Sequence, residues 1–282
     1  MVRHPVSRPI DVLHLGRDRV ICAYEVDGVI VDPGPTSSVE TLIDRLGPVE
    51  PRALLLTHIH LDHAGASGVL CRKYPKLKVY VHEVGAPHLV DPSKLLKSAG
   101  RLYGDDMWEL WGEVAPVPEE RITALSGGES VEGFRVAYTP GHASHHVCYL
   151  HEESGDAYVG DTAGVRIPPY AHAIAPTPPP EIDVEAWLDS LHTVASWNPQ
   201  TLGLTHFGQV TEVADHLHRM RSALVEQADS ARLDGEERFI ATLEQTLHEE
   251  TDPATVEAFE QAAPPDQLYM GLERYWRKKA ES

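Results

Sequence analysis

The sequence predicts an α/β fold built from two similar halves and followed by a helical C-terminal segment. Three observations carry this prediction. Short apolar runs ending in turn residues alternate with helix-length amphipathic stretches through most of the chain. One pattern occurs twice: a strand ending in aspartate, a helix, then a strand ending in Thr-His. It runs from "VIVDPG" to "LLLTHIH" and again from "AYVGDTAG" to "LGLTHFG". From about residue 212 the strand signals stop, and the sequence is charged and helical.

Taken in order, "VICAYEVDGVIVDPGP" reads as a hairpin turning at Asp27-Gly28, because both turn positions of the favoured type tolerate positive φ. "SSVETLIDRLG" reads as a helix, with Ser37 and Glu40 as a capping box and Gly47 at its end. "RALLLTHIH" is apolar throughout and predicts a strand buried on both faces. "AGASGVLCRKY" follows as a helix stopped by Pro75, then "KVYVH" as a strand. Residues 91–120 form an insertion, helical in "PSKLLKSAGRLYG" and "DDMWELWG". Its aromatic spacing (Tyr103, Met107, Trp108 and Trp111) reads as core by default, on a segment able to wall an apolar pocket. Strands are expected in "FRVAYTPGH", "HHVCYLHE" and "DAYVGDTAG". Residues 167–180 hold six prolines and predict an extended, stiff loop. "IDVEAWLDSLHTVASW" is a helix and "TLGLTHFG" the last strand. The expected division is a catalytic domain over residues 1–211 and a helical extension over 212–282.

With 282 residues, 42% hydrophobic and 24% charged, the chain can bury a substantial core. The N-terminus has no apolar run of signal-peptide length and no stretch reaches membrane-spanning length, so the cytoplasm is the expected compartment. Cys22, Cys71 and Cys148 are widely spaced and odd in number, which predicts buried free thiols. A net charge of −19 repels phosphate backbones. The expected partner is therefore a small-molecule substrate, with neither nucleic acid nor membrane; a homodimer is compatible with the sequence.

The chemistry concentrates at the end of the apolar run, where His58, His60, Asp62 and His63 fall within six positions. Imidazoles and a carboxylate are costly to bury unpartnered, so a core does not explain them. Residues spaced by two at a strand end point the same way, and His58 and His60 can chelate one ion. Asp62 and His63 lie past the strand on the following loop, toward a second position. Distal ligands are available at other strand ends: His142 in "YTPGHAS", Asp161 in "VGDT" and His206 in "LTHFG". Asp161 has one oxygen for each of two ions and can bridge them across about 3.5–4 Å. His145 and His146 are the nearest rivals to His142. Asp32 ends a buried strand near the expected site. It is either the acceptor for a ligand histidine's outer N–H or a turn residue before Pro33.

His-x-His-x-Asp-His, then Gly-His, Gly-Asp-Thr and a late Thr-His, resembles the metallo-β-lactamase superfamily over roughly residues 10–211. The resemblance implies an αββα four-layer sandwich with a dinuclear site at one edge. Carried over, His58, His60 and His142 hold the first ion, Asp62, His63 and His206 the second, and Asp161 bridges. The implied cofactors are two divalent ions, zinc first, with iron or manganese as alternatives. A hydroxide between such ions is a nucleophile at neutral pH, and Asp62 is placed to orient it and pass its proton on. An aspartate bridge and the lack of a ligand cysteine look more like the glyoxalase II and lactonase branch than true β-lactamases. The "GDTAGVRIPPY" that follows the aspartate departs from glyoxalase II. The implied reaction is hydrolysis of a carboxyl ester, lactone or thioester. The alternatives are a persulfide dioxygenase with one iron, or a phosphodiesterase or nuclease. Tyr170, on the proline loop after Asp161, is expected to donate its hydroxyl to a carbonyl or tetrahedral oxygen. Arg166 is the one basic side chain expected near the mouth.

Overall fold

Two six-stranded sheets face each other in the computed structural model, which describes residues 7–281. The first sheet contains, in spatial and chain order, β1 (Arg8–Asp11), β2 (Cys22–Val26), β3 (Val29–Val31), β4 (Ala53–Leu55), β5 (Lys78–His82) and β6 (Ile122–Leu125). The second contains β7 (Ser130–Val131), β8 (Phe134–Tyr138), β9 (Val147–His151), β10 (Asp156–Tyr158), β11 (Thr201–Leu204) and β12 (Gly208–Val210), in reverse spatial order from β12 to β7. The β2–β3 hairpin turns at Asp27 (φ 48°) and Gly28 (φ 78°), as expected from that dipeptide. From β3 to β6 the pairings are parallel, so each link must cross over, and helices supply the crossings. These are α1 (Val39–Leu46), the single turn α2 (Leu61–Ala64), α3 (Ser67–Lys73), α4 (Ala86–Val90), α5 (Ser93–Tyr103) and α6 (Met107–Trp111). In the second sheet α7 (Val184–Ser196) lies between the parallel pair β10 and β11.

Period-two alternation sorts each strand's side chains between two cores. Tyr24, Val29, Val31 and Leu55 meet Phe134, Val136, Tyr149 and Tyr158 between the sheets. Ala23, Ile30, Leu54 and Leu150 face the other way, toward Leu42, Leu70, Trp187 and Leu191 of the helices. The layers are therefore helix, sheet, sheet, helix, the αββα arrangement. Two buried tyrosines tie the sheets together: Tyr24 donates to the Leu204 carbonyl (2.7 Å) and Tyr149 to that of Leu56 (2.8 Å). All three cysteines are free and buried.

Helices α8 (Val213–Leu233), α9 (Glu236–Glu250), α10 (Pro253–Ala262) and α11 (Pro265–Glu281) follow to the end of the described residues. Met220, Leu224, Phe259 and Leu268 join the same apolar cluster as Ile167 and Trp187, so the extension shares the helix-side core. No helix among the described residues is long and apolar enough to cross a membrane.

Two local expectations are corrected. The capping box does not form: α1 begins at Val39 after a 3₁₀ turn, and the Ser37 hydroxyl donates to the Leu110 carbonyl (2.6 Å) on the insertion. Gly47 does close that helix, at φ 62° with its N–H on the Ile43 carbonyl. In the insertion Trp111 is buried, but Trp108 is 73% exposed and is no part of the core.

Candidate metal centre

The expected donors converge where the strands of both sheets end. Beyond β4 the chain runs through Thr57 and His58 to His60, whose carbonyl accepts the N–H groups of His63 (3.1 Å) and Ala64 (2.9 Å). Asp62 and His63 therefore sit on the helical turn α2 and not on the expected loop. His142 follows Gly141 after β8. Gly141 has φ 135°, and a Cβ there would fall 2.4 Å from the Trp187 Cα, so only glycine fits. Gly160, before Asp161, has φ 46°, and a Cβ there would fall 2.4 Å from Thr57 Oγ1. The glycines of Gly-His and Gly-Asp thus bring distal donors close to β4.

His58, His60, His142 and Asp161 form one donor group, and Asp62, His63 and His206 a second, with the donor atoms of each within 4.8 Å of one another. Asp161 faces both. Its Oδ2 lies 3.2 Å from His142 Nε2; its Oδ1 lies 3.2 Å from His63 Nε2 and 3.7 Å from His206 Nε2. His60 Nδ1 and His142 Nε2 face each other at 3.0 Å, and His206 Nε2 is 3.2 Å from Asp62 Oδ2. Among the described residues, His58 Nε2, His63 Nε2 and Asp161 Oδ1 are buried without a hydrogen-bond partner in good geometry. Each such atom costs about 1–3 kcal/mol, and a bound cation satisfies lone pairs of this kind together. The residues fit a metal pair.

The outer nitrogens are already committed, which leaves Nε2 of these rings as the free lone pair. His63 Nδ1–H donates to Asp32 (2.8 Å), His206 Nδ1–H to the Val20 carbonyl (2.7 Å) and His142 Nδ1–H to the Pro176 carbonyl (2.8 Å). The His58 Nδ1–H donates to Thr57 Oγ1 (3.1 Å). Asp32 is fully buried at φ 47° and also accepts from the Thr57 N–H (2.8 Å) and from the hydroxyls of Thr57 (2.7 Å) and Thr205 (2.9 Å). The two Thr-His repeats therefore meet on one carboxylate, and Asp32 is the histidine partner, beyond any turn role.

His146 supports the set from behind. Its Nε2 accepts from the Asp161 N–H (3.3 Å), its Nδ1 lies 3.0 Å from Thr139 Oγ1, and its ring stacks on His58 at 4.9 Å. The run "GHASHH" marked it only as a rival to His142; its supporting role depends on contacts that sequence spacing does not show. His145 lies outside both groups, its ring 6.1 Å from that of His58 and 5.8 Å from that of His60.

Burial, then crowding by neighbouring rings, holds His58 and His60 well below the usual imidazole pKa. Neutral rings are what a cation needs. For His63, burial opposes charge, but the carboxylates of Asp161, Asp62 and Asp32 outweigh it and raise the pKa. At His206 burial is likewise outweighed, chiefly by the bond to Asp62. Burial works against the charge on Asp161 and Asp62 too, yet the facing histidines hold both carboxyls below their usual range.

The insertion lies within range of the Asp62 charge. The Tyr103 phenol is raised by burial, with the Asp62 charge adding to it, so it stays an O–H donor. Its ring meets Trp111 edge-on at 5.1 Å, and Trp111 stacks on His14 at 5.4 Å. The buried Trp111 indole N–H has no hydrogen-bond partner among the described residues. Tyr170 does not fill its expected role: its hydroxyl donates to Asp252 Oδ2 (3.0 Å), the residue capping α10. That partner lies 82 residues away on the extension, beyond the reach of a local reading. Arg166 is drawn outward as well, its guanidinium 3.7 Å from Glu212 and its Nε on the Tyr170 carbonyl (3.3 Å).

The fold and these donors define a class, and comparison with known proteins identifies it. The model of the metallo-beta-lactamase superfamily matches residues 21–206. The chain belongs to this superfamily, most of whose members are hydrolases. A metallo-beta-lactamase fold-containing protein of Sulfurisphaera tokodaii is 28% identical over 225 residues, 76% of this chain and 82% of the relative. The crystal structure of the archaeal superfamily protein ST1585 from Sulfolobus tokodaii aligns with a TM-score of 0.71 and 24% identity, over 96% of this chain and 99% of that one. A hydroxyacylglutathione hydrolase from an Enterobacter species is 33% identical over 134 residues, 48% of this chain but 41% of the enzyme. The crystal structure of TTHA1623 in a di-iron-bound form aligns with a TM-score of 0.51 and 25% identity, over 68% of this chain and 85% of that one.

Proposed function

We propose that the chain is a dinuclear metal-dependent hydrolase that cleaves a carboxyl ester, lactone or thioester of a small molecule. The observation that carries this reading is Asp161, whose two oxygens face different donor groups. Two divalent ions bound there would supply Lewis acidity and lower the pKa of a water between them. His58, His60 and His142 with Asp161 Oδ2 would hold one, and Asp62, His63 and His206 with Asp161 Oδ1 the other. Zinc suits imidazole and carboxylate donors, and the di-iron-bound relative supports iron as the alternative.

The protein's own part is positional. Asp62, with its side chain 22% exposed, is the carboxylate of the set that reaches solvent. It is placed to take a proton from the attacking water and return it to the leaving oxygen or sulfur. His146 and Asp32 hold Asp161 and His63 in register for that exchange. For the substrate, an acidic chain with Arg166 already beside Glu212 offers little to a phosphate. On the insertion, Tyr103 offers a neutral phenol O–H within range of the Asp62 charge, which suits a neutral carbonyl compound. The partial likeness to hydroxyacylglutathione hydrolases keeps thioesters in the class.

The test is elemental analysis of the purified protein followed by a hydrolysis panel of esters, lactones, thioesters and phosphodiesters. Two ions per chain with carboxyl-ester or thioester turnover is the expected result. Phosphodiester or RNA cleavage with negligible carboxyl-ester activity overturns the substrate class. A single iron, with oxygen consumed on addition of a persulfide, overturns hydrolysis itself.

A further inference from the structure

The loop that carries the Pro176 carbonyl to His142 is held residue by residue. Ile174 pairs with Val165 through two backbone bonds (2.9 and 3.0 Å). The Ala175 N–H donates to Gln227 Oε1 (2.8 Å), and Gln227 Nε2 donates back to the Ala175 carbonyl (3.1 Å). Pro176 accepts from His142. The Thr177 hydroxyl donates to the Leu268 carbonyl (3.0 Å), and Gly271 packs so close that a Cβ would fall 1.9 Å from the Thr177 carbonyl oxygen. Pro176 and Pro178 have no N–H, so a continuous strand ladder cannot fix this stretch. Gln227, buried on α8, carries both a donor and an acceptor and does so instead. The second donor group has no bond to Gln227; it meets the extension elsewhere, where Arg17 and Arg19, ahead of Val20, donate to Gln261 (2.8 Å) and Thr255 (3.4 Å) on α10. Its outer partners are Asp32, at the end of β3, and the Val20 carbonyl, just before β2.

We propose that Gln227 is a positioning residue for the metal centre. From the helical extension it fixes the Ala175–Pro176 peptide, and through the Pro176 carbonyl the ring of His142. Gln227 thereby sets the affinity of the His58, His60 and His142 group and not that of the other group. This rests on the two-ion reading above.

The experiment titrates the metal-free, full-length protein with Co²⁺ against a chromophoric chelator while following the visible cobalt spectrum. His142→Ala identifies which of the two binding steps belongs to the first group. Gln227→Met keeps the volume and removes both bonds to Ala175. That step should weaken roughly tenfold, at the low end of losses seen when a ligand's outer partner is removed. The other should stay within about twofold. A general loss of packing would instead lower both together. Equal weakening of the two steps, or no change in either, overturns the proposal. Gln227→Glu keeps an acceptor for the Ala175 N–H but sets a second oxygen against the Ala175 carbonyl, and should weaken the same step and not the other; if the methionine variant does not fold, this one decides. Wild-type protein that binds one Co²⁺ counts against the two-ion reading only. The proposal is then decided on the single step that His142→Ala abolishes.

Discussion

The two donor groups share Asp161 but differ in what stands behind them. Behind His58 and His142 are a threonine hydroxyl and the carbonyl of a proline loop, both neutral. Behind His63 is Asp32, a fully buried carboxylate that also gathers Thr57 and Thr205. The second group adds Asp62 as a donor, and its histidines have raised pKa values where His58 and His60 have lowered ones. The first group therefore relies on the geometry of neutral rings, and the second on negative charge. A harder ion is favoured in the second, and a mispositioned loop should be felt in the first.

The largest effect that can break this comparison is removal of both ions. Chelation should abolish turnover. It should also lower the melting temperature, because a ligand present at 1,000 times its dissociation constant adds about 4 kcal/mol to the folded state. Identical melting of loaded and stripped protein would show that the seven donors hold nothing. Next in size is Asp161→Asn, which removes the one charge common to both groups. Metal content should fall toward one ion, and activity should fall by more than the roughly 10- to 100-fold typical of outer partners. The fold should survive, since β10 and its flank are held by the buried Ala157, Tyr158 and Val159. Unchanged stoichiometry with full activity would remove Asp161 from the site.

Asp32→Asn sharpens the contrast between the groups. The amide keeps the shape but not the charge behind His63, so the second-group ion should weaken by roughly 10- to 100-fold. The first-group ion should weaken by less, because Asp32 reaches His58 only through the Thr57 hydroxyl. Co²⁺ titration with both steps resolved is the measurement, and an equal loss at both would show that Asp32 organises the whole edge.

Much of this centre was legible because its signals are local. The "HIHLDH" run, Gly-His, Gly-Asp-Thr and the repeated Thr-His each carry donor type and strand-end position within a few residues. The hairpin at Asp27-Gly28 was legible for the same reason. The parts not legible depend on contacts between distant segments. Ser37 gives its hydroxyl to Leu110 on the insertion, and Tyr170 gives its own to Asp252 on the extension. The edge strands β1, β7 and β12 are two to four residues long, too short to show a period of two. His146 looks in sequence like a third choice of ligand; only the fold turns its ring toward the Asp161 N–H.

The smallest expected effects concern two tyrosines, and they reverse the order that sequence position suggests. Tyr170 follows the bridging aspartate by nine positions, whereas Tyr103 lies on a remote insertion. Yet Tyr170 is tied to Asp252, and Tyr103 is the phenol that feels the charge of Asp62. Tyr103→Phe removes one neutral donor within range of the Asp62 charge. If that donor meets the substrate, kcat/KM should fall about 2- to 10-fold, the kinetic equivalent of about 0.5–1.5 kcal/mol for such a bond. Metal content should be unchanged, because no ligand is lost. Tyr170→Phe should leave both turnover and metal content as they are and shift only the melting temperature, slightly, through the lost contact with the α10 cap. Steady-state kinetics on the two variants with one ester substrate decides between them. A turnover loss in Tyr170→Phe with none in Tyr103→Phe would return the donor role to the proline loop. It would also mean that the Asp252 contact opens when substrate binds.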